Sequence, residues 1–180
     1  MARVLREDLP ICTWPSGWRG NTRHLVVDNI IVNRSRTHVL LVERAEGEIE
    51  GGKWALPGGY VDPDETVLGA LTKETLEEAG LAQAALGEVA LFRIVDNPRR
   101  QGEAAQNITA VFVSVVENQT EYGEVPQTAD PDGGTQRAMW WHRLDGLPPM
   151  AYDHRGILAA FTANPTTYPV DIFMSNPLPS

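Results

Sequence analysis

Gly59-Tyr-Val-Asp-Pro-Asp-Glu65 and, after seven more residues, Lys73-Glu74-Thr75-Leu76-Glu77-Glu78-Ala79-Gly80-Leu81 decide how this chain is read. Glu74, Glu77 and Glu78 fall at spacings of three and four. On a helix of about 100° per residue they share roughly a third of the circumference. Leu68, Thr75, Leu76 and Ala79 are expected to point the other way, into a core. Glu74 and Glu78 are like charges at i,i+4, which costs an isolated helix about 0.2–0.5 kcal/mol. A face that gathers negative charge makes physical sense if a divalent cation neutralises it. Oxygen-only ligands favour Mg²⁺, Mn²⁺ or Ca²⁺ over zinc. A lone E-x-x-E-E is more often a solvated face, and here the glycines change the reading. Gly58-Gly59 follow the apolar Trp54-Ala-Leu-Pro57 and precede a turn at Asp62-Pro63-Asp64, and Gly80 stands where a helix-ending glycine belongs.

The whole pattern resembles the signature of the Nudix hydrolase family, G-x5-E-x7-R-E-U-x-E-E-x-G-U, where U is a bulky apolar residue. Gly59, Glu65, Glu74, Glu77, Glu78, Gly80 and Leu81 match it in register. Two positions depart: Lys73 replaces the family arginine and Thr75 an apolar residue. The resemblance implies an α/β fold, an α/β/α sandwich around a mixed β-sheet. It implies hydrolysis of a nucleoside diphosphate linked to another group X, with Mg²⁺ as cofactor and Mn²⁺ as its substitute. By motif position Glu77 and Glu78 are metal ligands, and Glu74 is a ligand or the base that orients water. Lys73 is the residue that steadies a catalytic glutamate. A lysine has no planar fork for a bidentate clamp; pairing with Glu77 at i+4 is the expectation. Glu65 is expected at the helix start, where a carboxylate favours the dipole; ligation is the alternative. Gly58 and Gly59 are expected to let backbone come close to metal or phosphate, a plain turn being the other option.

Outside this box, Arg93-Ile-Val-Asp-Asn-Pro-Arg-Arg-Gln-Gly-Glu103 is similar to the substrate loop of ADP-ribose and related dinucleotide pyrophosphatases. That resemblance implies Arg93, Arg99, Arg100 and Glu103 as substrate contacts. Ala151-Tyr-Asp-His-Arg-Gly-Ile-Leu158 is similar to the closing helix of the same enzymes, with His154 read as structural. Glu103, Glu117, Glu121 and Glu124 are the candidates for a further acidic ligand, and spacing selects none. Trp14, Trp18 and Tyr122 offer faces on which a base stacks, against the commoner fate of packing. Of Trp140 and Trp141, one should face the core.

A chain of 180 residues with 42% hydrophobic content suffices for one sizeable core. A net charge of −9 argues against a general nucleic-acid binder, since phosphate backbones are held by clustered Lys and Arg. Cys12 is the single cysteine, which excludes an intramolecular disulfide and a cysteine-based zinc site. The first residues lack the apolar run of a signal peptide, and no stretch approaches a membrane span. A soluble cytoplasmic protein acting on a small nucleotide is the expectation, with a homodimer left open.

Along the chain one domain is expected over 1–180, with an irregular segment at 1–22 and a Pro-rich tail at 164–180. Strands are expected at 25–32 and 38–43, joined by Asn33-Arg-Ser-Arg-Thr37, then at 86–97, 107–116 and 138–142. An acidic loop is expected at 46–52 and a polar one at 125–134. Helices are expected at 64–79 and 154–163, the second capped by Asp153. Two other functions stay open: a house-cleaning pyrophosphohydrolase of nucleoside triphosphates, and a nucleotide-sensing module of low activity, which Lys73 favours and the three intact glutamates oppose.

Overall fold

Strands buried along nearly their whole length belong to a sheet covered on both faces, and the two central strands here are of that kind. The computed structural model describes residues 5, 7, 10–98, 107–117, 124–125, 133–142 and 146–170. In chain order the strands are β1 (Ile11–Thr13), β2 (Arg19–Asn21), β3 (Leu25–Asn33), β4 (His38–Arg44), β5 (Trp54–Ala55), β6 (Gly58–Tyr60), β7 (Leu86–Val95), β8 (Ile108–Val116), β9 (Glu124–Val125), β10 (Thr135–His142) and β11 (Tyr168–Pro169). The helices are α1 (Val67–Ala79) and α2 (His154–Ala163).

The main sheet runs β11-β7-β8-β3-β4-β10-β9. It is mixed: β3 and β8 are parallel and the other pairs antiparallel. Side chains alternate between its faces as a period of two requires. Ile30, Val32, Val39, Leu41, Val111 and Val113 pack against Ile157, Leu158 and Phe161 of α2. Ile31, Leu40 and Val42 pack with Ala79 of α1, and Val27, Ala110 and Phe112 with Ala70 and Leu71. A sheet between two helical layers is the expected α/β/α sandwich.

The strand β3 divides its free edge. Its end, Ile31 and Val32, pairs with β4, while its beginning, Val26 to Asp28, pairs with β6. The chain from β5 to β6 is thereby wedged between β3 and β4, which pairs β5. That wedge delivers Gly58 and Gly59 to the foot of α1.

Several expectations differ from the structure. Residues 11–21 are not irregular: Ile11–Thr13 and Arg19–Asn21 form a small antiparallel hairpin. Trp14 and Trp18 sit at its turn, with ring centroids 4.3 Å apart. In the tail, Tyr168 and Pro169 extend the sheet beside β7. Helix α1 begins at Val67 rather than 64, because the Thr66 hydroxyl accepts from the Gly69 N–H at 3.0 Å and takes the cap. Glu65 therefore lies before the helix. Leu76, expected inward, is 48% exposed, while Thr75 is buried. Asp153 is the N-cap residue of α2, yet its side chain makes no capping bond. Both Trp140 and Trp141 pack, on opposite faces of the sheet.

Candidate active site

Helix α1 sets the site's geometry. Its apolar stripe fixes its rotation, and Thr75 adds a polar pin: Asn29 Nδ2 donates to the Thr75 hydroxyl at 2.9 Å, both groups buried. The hydroxyl that departs from the family pattern thus has a partner, as a buried polar group requires. Gly80, at φ 68, ends the helix in the left-handed conformation that glycine tolerates, its N–H returning to Leu76 O.

With the rotation fixed, the glutamates meet the wedge. The Glu78 carboxylate accepts the Gly58 N–H at 2.8 Å. The Glu74 carboxyl lies directly over Gly59: a Cβ built there would fall 2.5 Å from it. At Gly58 a Cβ would fall 2.0 Å from the Val27 carbonyl oxygen. Both glycines are therefore set by close approach, one to backbone and one to the Glu74 carboxyl.

Burial pushes the Glu74 carboxyl up to about 7; Lys73 pulls against this and the Glu77 charge adds to it. Lys73 does not pair with Glu77. Its ammonium lies 3.2 Å from Asp62 Oδ2, 3.2 Å from Glu65 Oε2 and 3.6 Å from Glu74 Oε1. Burial draws the Lys73 pKa down, but the hydrogen bonds to Glu65 and Asp62 and the Glu74 charge outweigh it and hold the pKa above the usual lysine range. The lysine is thus the hub that ties the turn at Asp62 and the pre-helical Glu65 to the helix.

Among the described residues no three acidic or imidazole groups converge on one point. The glutamates share a face without forming a closed cage. Their all-oxygen donor set nevertheless suits a hard divalent cation, and Glu74, raised by burial and by Glu77, is a carboxylate whose charge such a cation would offset.

A cleft of about 460 Å³ opens beside the wedge, lined by Gly58, Gly59 and Glu78 on one side and by Arg44, Tyr152 and His154 on the other. The Arg44 guanidinium lies 5.1 Å from the centre of the Tyr152 ring. Tyr152 has φ 51, a left-handed conformation uncommon for a bulky residue. Asp28 and His154, both about 5% exposed, form the floor. Neither carried a functional reading in sequence, although a carboxylate amid Val26, Val27, Ile30 and Ile31 is the signal that marks Asp28.

The remaining candidates lie apart from this cleft or outside the described residues. Arg93 is exposed on β7 with its guanidinium over the Phe92 ring. Glu117 is exposed and paired with Arg34 at 2.6 Å. Trp14 and Trp18 pack against each other with their rings tilted. Arg99, Arg100, Glu103, Glu121 and Tyr122 fall outside the described residues, as does the side chain of Glu124.

The family profile described as NUDIX domain matches residues 22–161. The chain is 30% identical over 152 residues to the 8-oxo-dGDP phosphatase NUDT18 of Danio rerio, which covers 81% of this chain but only 42% of that one. It is 28% identical over 135 residues to the ADP-ribose pyrophosphatase of Methanocaldococcus jannaschii, covering 74% of this chain and 70% of that one. In three dimensions it is similar to the NUDIX domain of Shewanella oneidensis NrtR, solved as a cocrystal with ADP ribose. There the TM-score is 0.67 at 22% identity, over 84% of this chain and 93% of that one, a likeness of fold alone.

Proposed function

The chain belongs to the Nudix family, and from that premise we propose that it is a divalent-cation-dependent hydrolase cleaving the diphosphate of a nucleoside diphosphate linked to X. ADP-ribose or a related dinucleotide is the favoured substrate. The observation that carries the reading is Glu74, held over Gly59 with its carboxyl raised to about 7 beside Glu77 and Glu78.

In this reading Glu77 and Glu78 hold the cation, Mg²⁺ or Mn²⁺. A cation of this kind supplies charge neutralisation of the phosphates and a lower pKa for bound water. The chain's own residues do the rest. Glu74, whose ionised form a neighbouring cation would favour, can take a proton from the attacking water as a general base. Lys73 orients Glu74 and keeps its pKa from rising further. Gly58 steadies Glu78 through its N–H, and Gly59 leaves room for the Glu74 carboxyl. The cleft beside Glu78 receives the substrate.

The choice of ADP-ribose is supported by likeness to the archaeal ADP-ribose pyrophosphatase. Likeness to NUDT18 favours a second reading, an oxidised nucleoside diphosphate as substrate. A cytoplasmic setting belongs to the same proposal, and no helix among the described residues is long and apolar enough to cross a membrane. A screen of nucleotides with Mg²⁺ and Mn²⁺ tests it. ADP-ribose should give AMP and ribose phosphate with the highest kcat/KM. A tenfold preference for 8-oxo-dGDP would move the assignment to the second reading, and one for any triphosphate to a house-cleaning pyrophosphohydrolase.

A further inference from the structure

The floor of the cleft holds a buried couple that the reading above leaves unused. His154, the first residue of α2, accepts the Leu56 N–H on Nδ1 at 2.9 Å. A nitrogen that accepts carries no proton, so the neutral ring bears its proton on Nε2. Nε2 lies 3.5 Å from Asp28 Oδ2, and a carboxylate there favours that tautomer. Asp28 in turn presses on the wedge: its Oδ1 lies 2.9 Å from the point where a Gly58 Cβ would stand, and it is the register partner of Gly58. Gly58 then donates to Glu78 at 2.8 Å.

We propose that His154 is a positioning residue: its imidazole, oriented by Asp28, sets the Leu56–Gly58 backbone and through the Gly58 N–H fixes the Glu78 carboxylate. The contact joins residues nearly a hundred positions apart, and beside it the Pro57 carbonyl, which accepts the Asn29 N–H at 2.8 Å, holds the same short segment. Pro57 has no N–H, so Leu56 N–H and Gly58 N–H are the consecutive donors of the wedge, one given to His154 and the other to Glu78. A shift of Leu56 is transmitted to Gly58 through a single proline. Groups that orient a ligand of a metal typically govern its affinity about 10–100-fold. The inference rests on the reading of Glu78 as a cation ligand.

The test exploits the two ends of the imidazole. In His154→Asn the side-chain oxygen stands near the place of Nδ1 and still accepts from Leu56. In His154→Gln the amide nitrogen stands near the place of Nε2 and still donates toward Asp28. His154→Ala loses both. Three measurements are made on each full-length variant: Mn²⁺ affinity by calorimetry, amide hydrogen exchange at Leu56 and Gly58, and kcat and KM on the best nucleotide from the screen. His154→Ala and His154→Gln are expected to weaken Mn²⁺ binding and lower kcat about 10–100-fold, with faster exchange at both amides and KM little changed. His154→Asn should recover most of all three. Recovery by glutamine rather than asparagine, equal loss in all three variants, or native values in all three would each overturn the proposal. If the native protein turned over no nucleotide, the hydrolase reading would fail separately, and Mn²⁺ affinity with amide exchange would still decide the role of His154.

Discussion

Gly58 and Gly59 are neighbours in sequence but not in what they permit. A methyl at Gly58 meets the Val27 carbonyl, a backbone atom that cannot move without opening β3 from β6. A methyl at Gly59 meets first the end of the Glu74 side chain. Gly58→Ala should therefore lower the melting temperature markedly, whereas Gly59→Ala should melt near the native temperature yet lose most of its kcat, because small misplacements of a catalytic group are costly. Differential scanning calorimetry beside steady-state kinetics separates them; similar profiles for both variants would contradict the assignment. Lys73 makes a second case. It lowers the Glu74 pKa, so Lys73→Ala should move the acid limb of the pH–rate profile to higher pH as well as reduce kcat by about ten- to a thousandfold. Lys73→Arg should keep both near native, since an arginine reaches the same carboxylates. An unmoved acid limb in Lys73→Ala would remove the lysine from the site.

At the scale of an element, α1 is where charge and packing compete. A carboxyl raised from 4.5 to about 7 binds its proton more tightly in the folded state than in the unfolded chain. Folding therefore loses stability as pH climbs from about 4.5 to 7, and the loss is complete above that. The shift corresponds to at most about 3 kcal/mol. Glu74→Gln, assayed with chelator, should match the native protein near pH 4 and exceed its stability near pH 8. Chemical denaturation at the two pH values checks this, and a gap of the same size at both would refute it. Glu77→Gln and Glu78→Gln should each abolish most turnover while the fold stays intact, several kcal/mol at the transition state being the usual worth of a catalytic cation. Near-normal kcat at saturating Mg²⁺ would sink the cation reading. The helix was also the most legible part of the chain, because its spacing alone put three glutamates on one face. Its start was less so: Asp64 and Glu65 look like a first turn, but the Thr66 hydroxyl is the one that finds an orphan N–H. Leu76 faces outward for a related reason. Thr75 takes the inward position because Asn29, remote in sequence, supplies the partner that makes burying a hydroxyl tolerable.

Over the whole molecule, the layers and most strands could be read from apolar runs, since a sheet covered on both faces leaves that trace. The cleft floor could not. Asp28, Leu56 and His154 come from a strand, a short connection and a helix far apart in the chain, and the division of β3 between β4 and β6 brings the first two together. The hairpin of β1 and β2 leaves no trace in the sequence because its strands are three residues each, too short to show alternation. The same topology bears on how the protein is made. The sheet's central parallel pair, β3 with β8, runs from Leu25 against Ile108 to Asn33 against Val116. Contacts so distant along the chain are late and slow to form. On the ribosome, β3 is synthesised long before its partner and must wait with one apolar edge open, while β4 and the wedge can close on the other. A nascent chain in that condition is prone to pair with a neighbour. Refolding at rising protein concentration should accordingly lose yield sooner than a helical protein of equal length, and the lost fraction should be the one in which β8 has not yet docked.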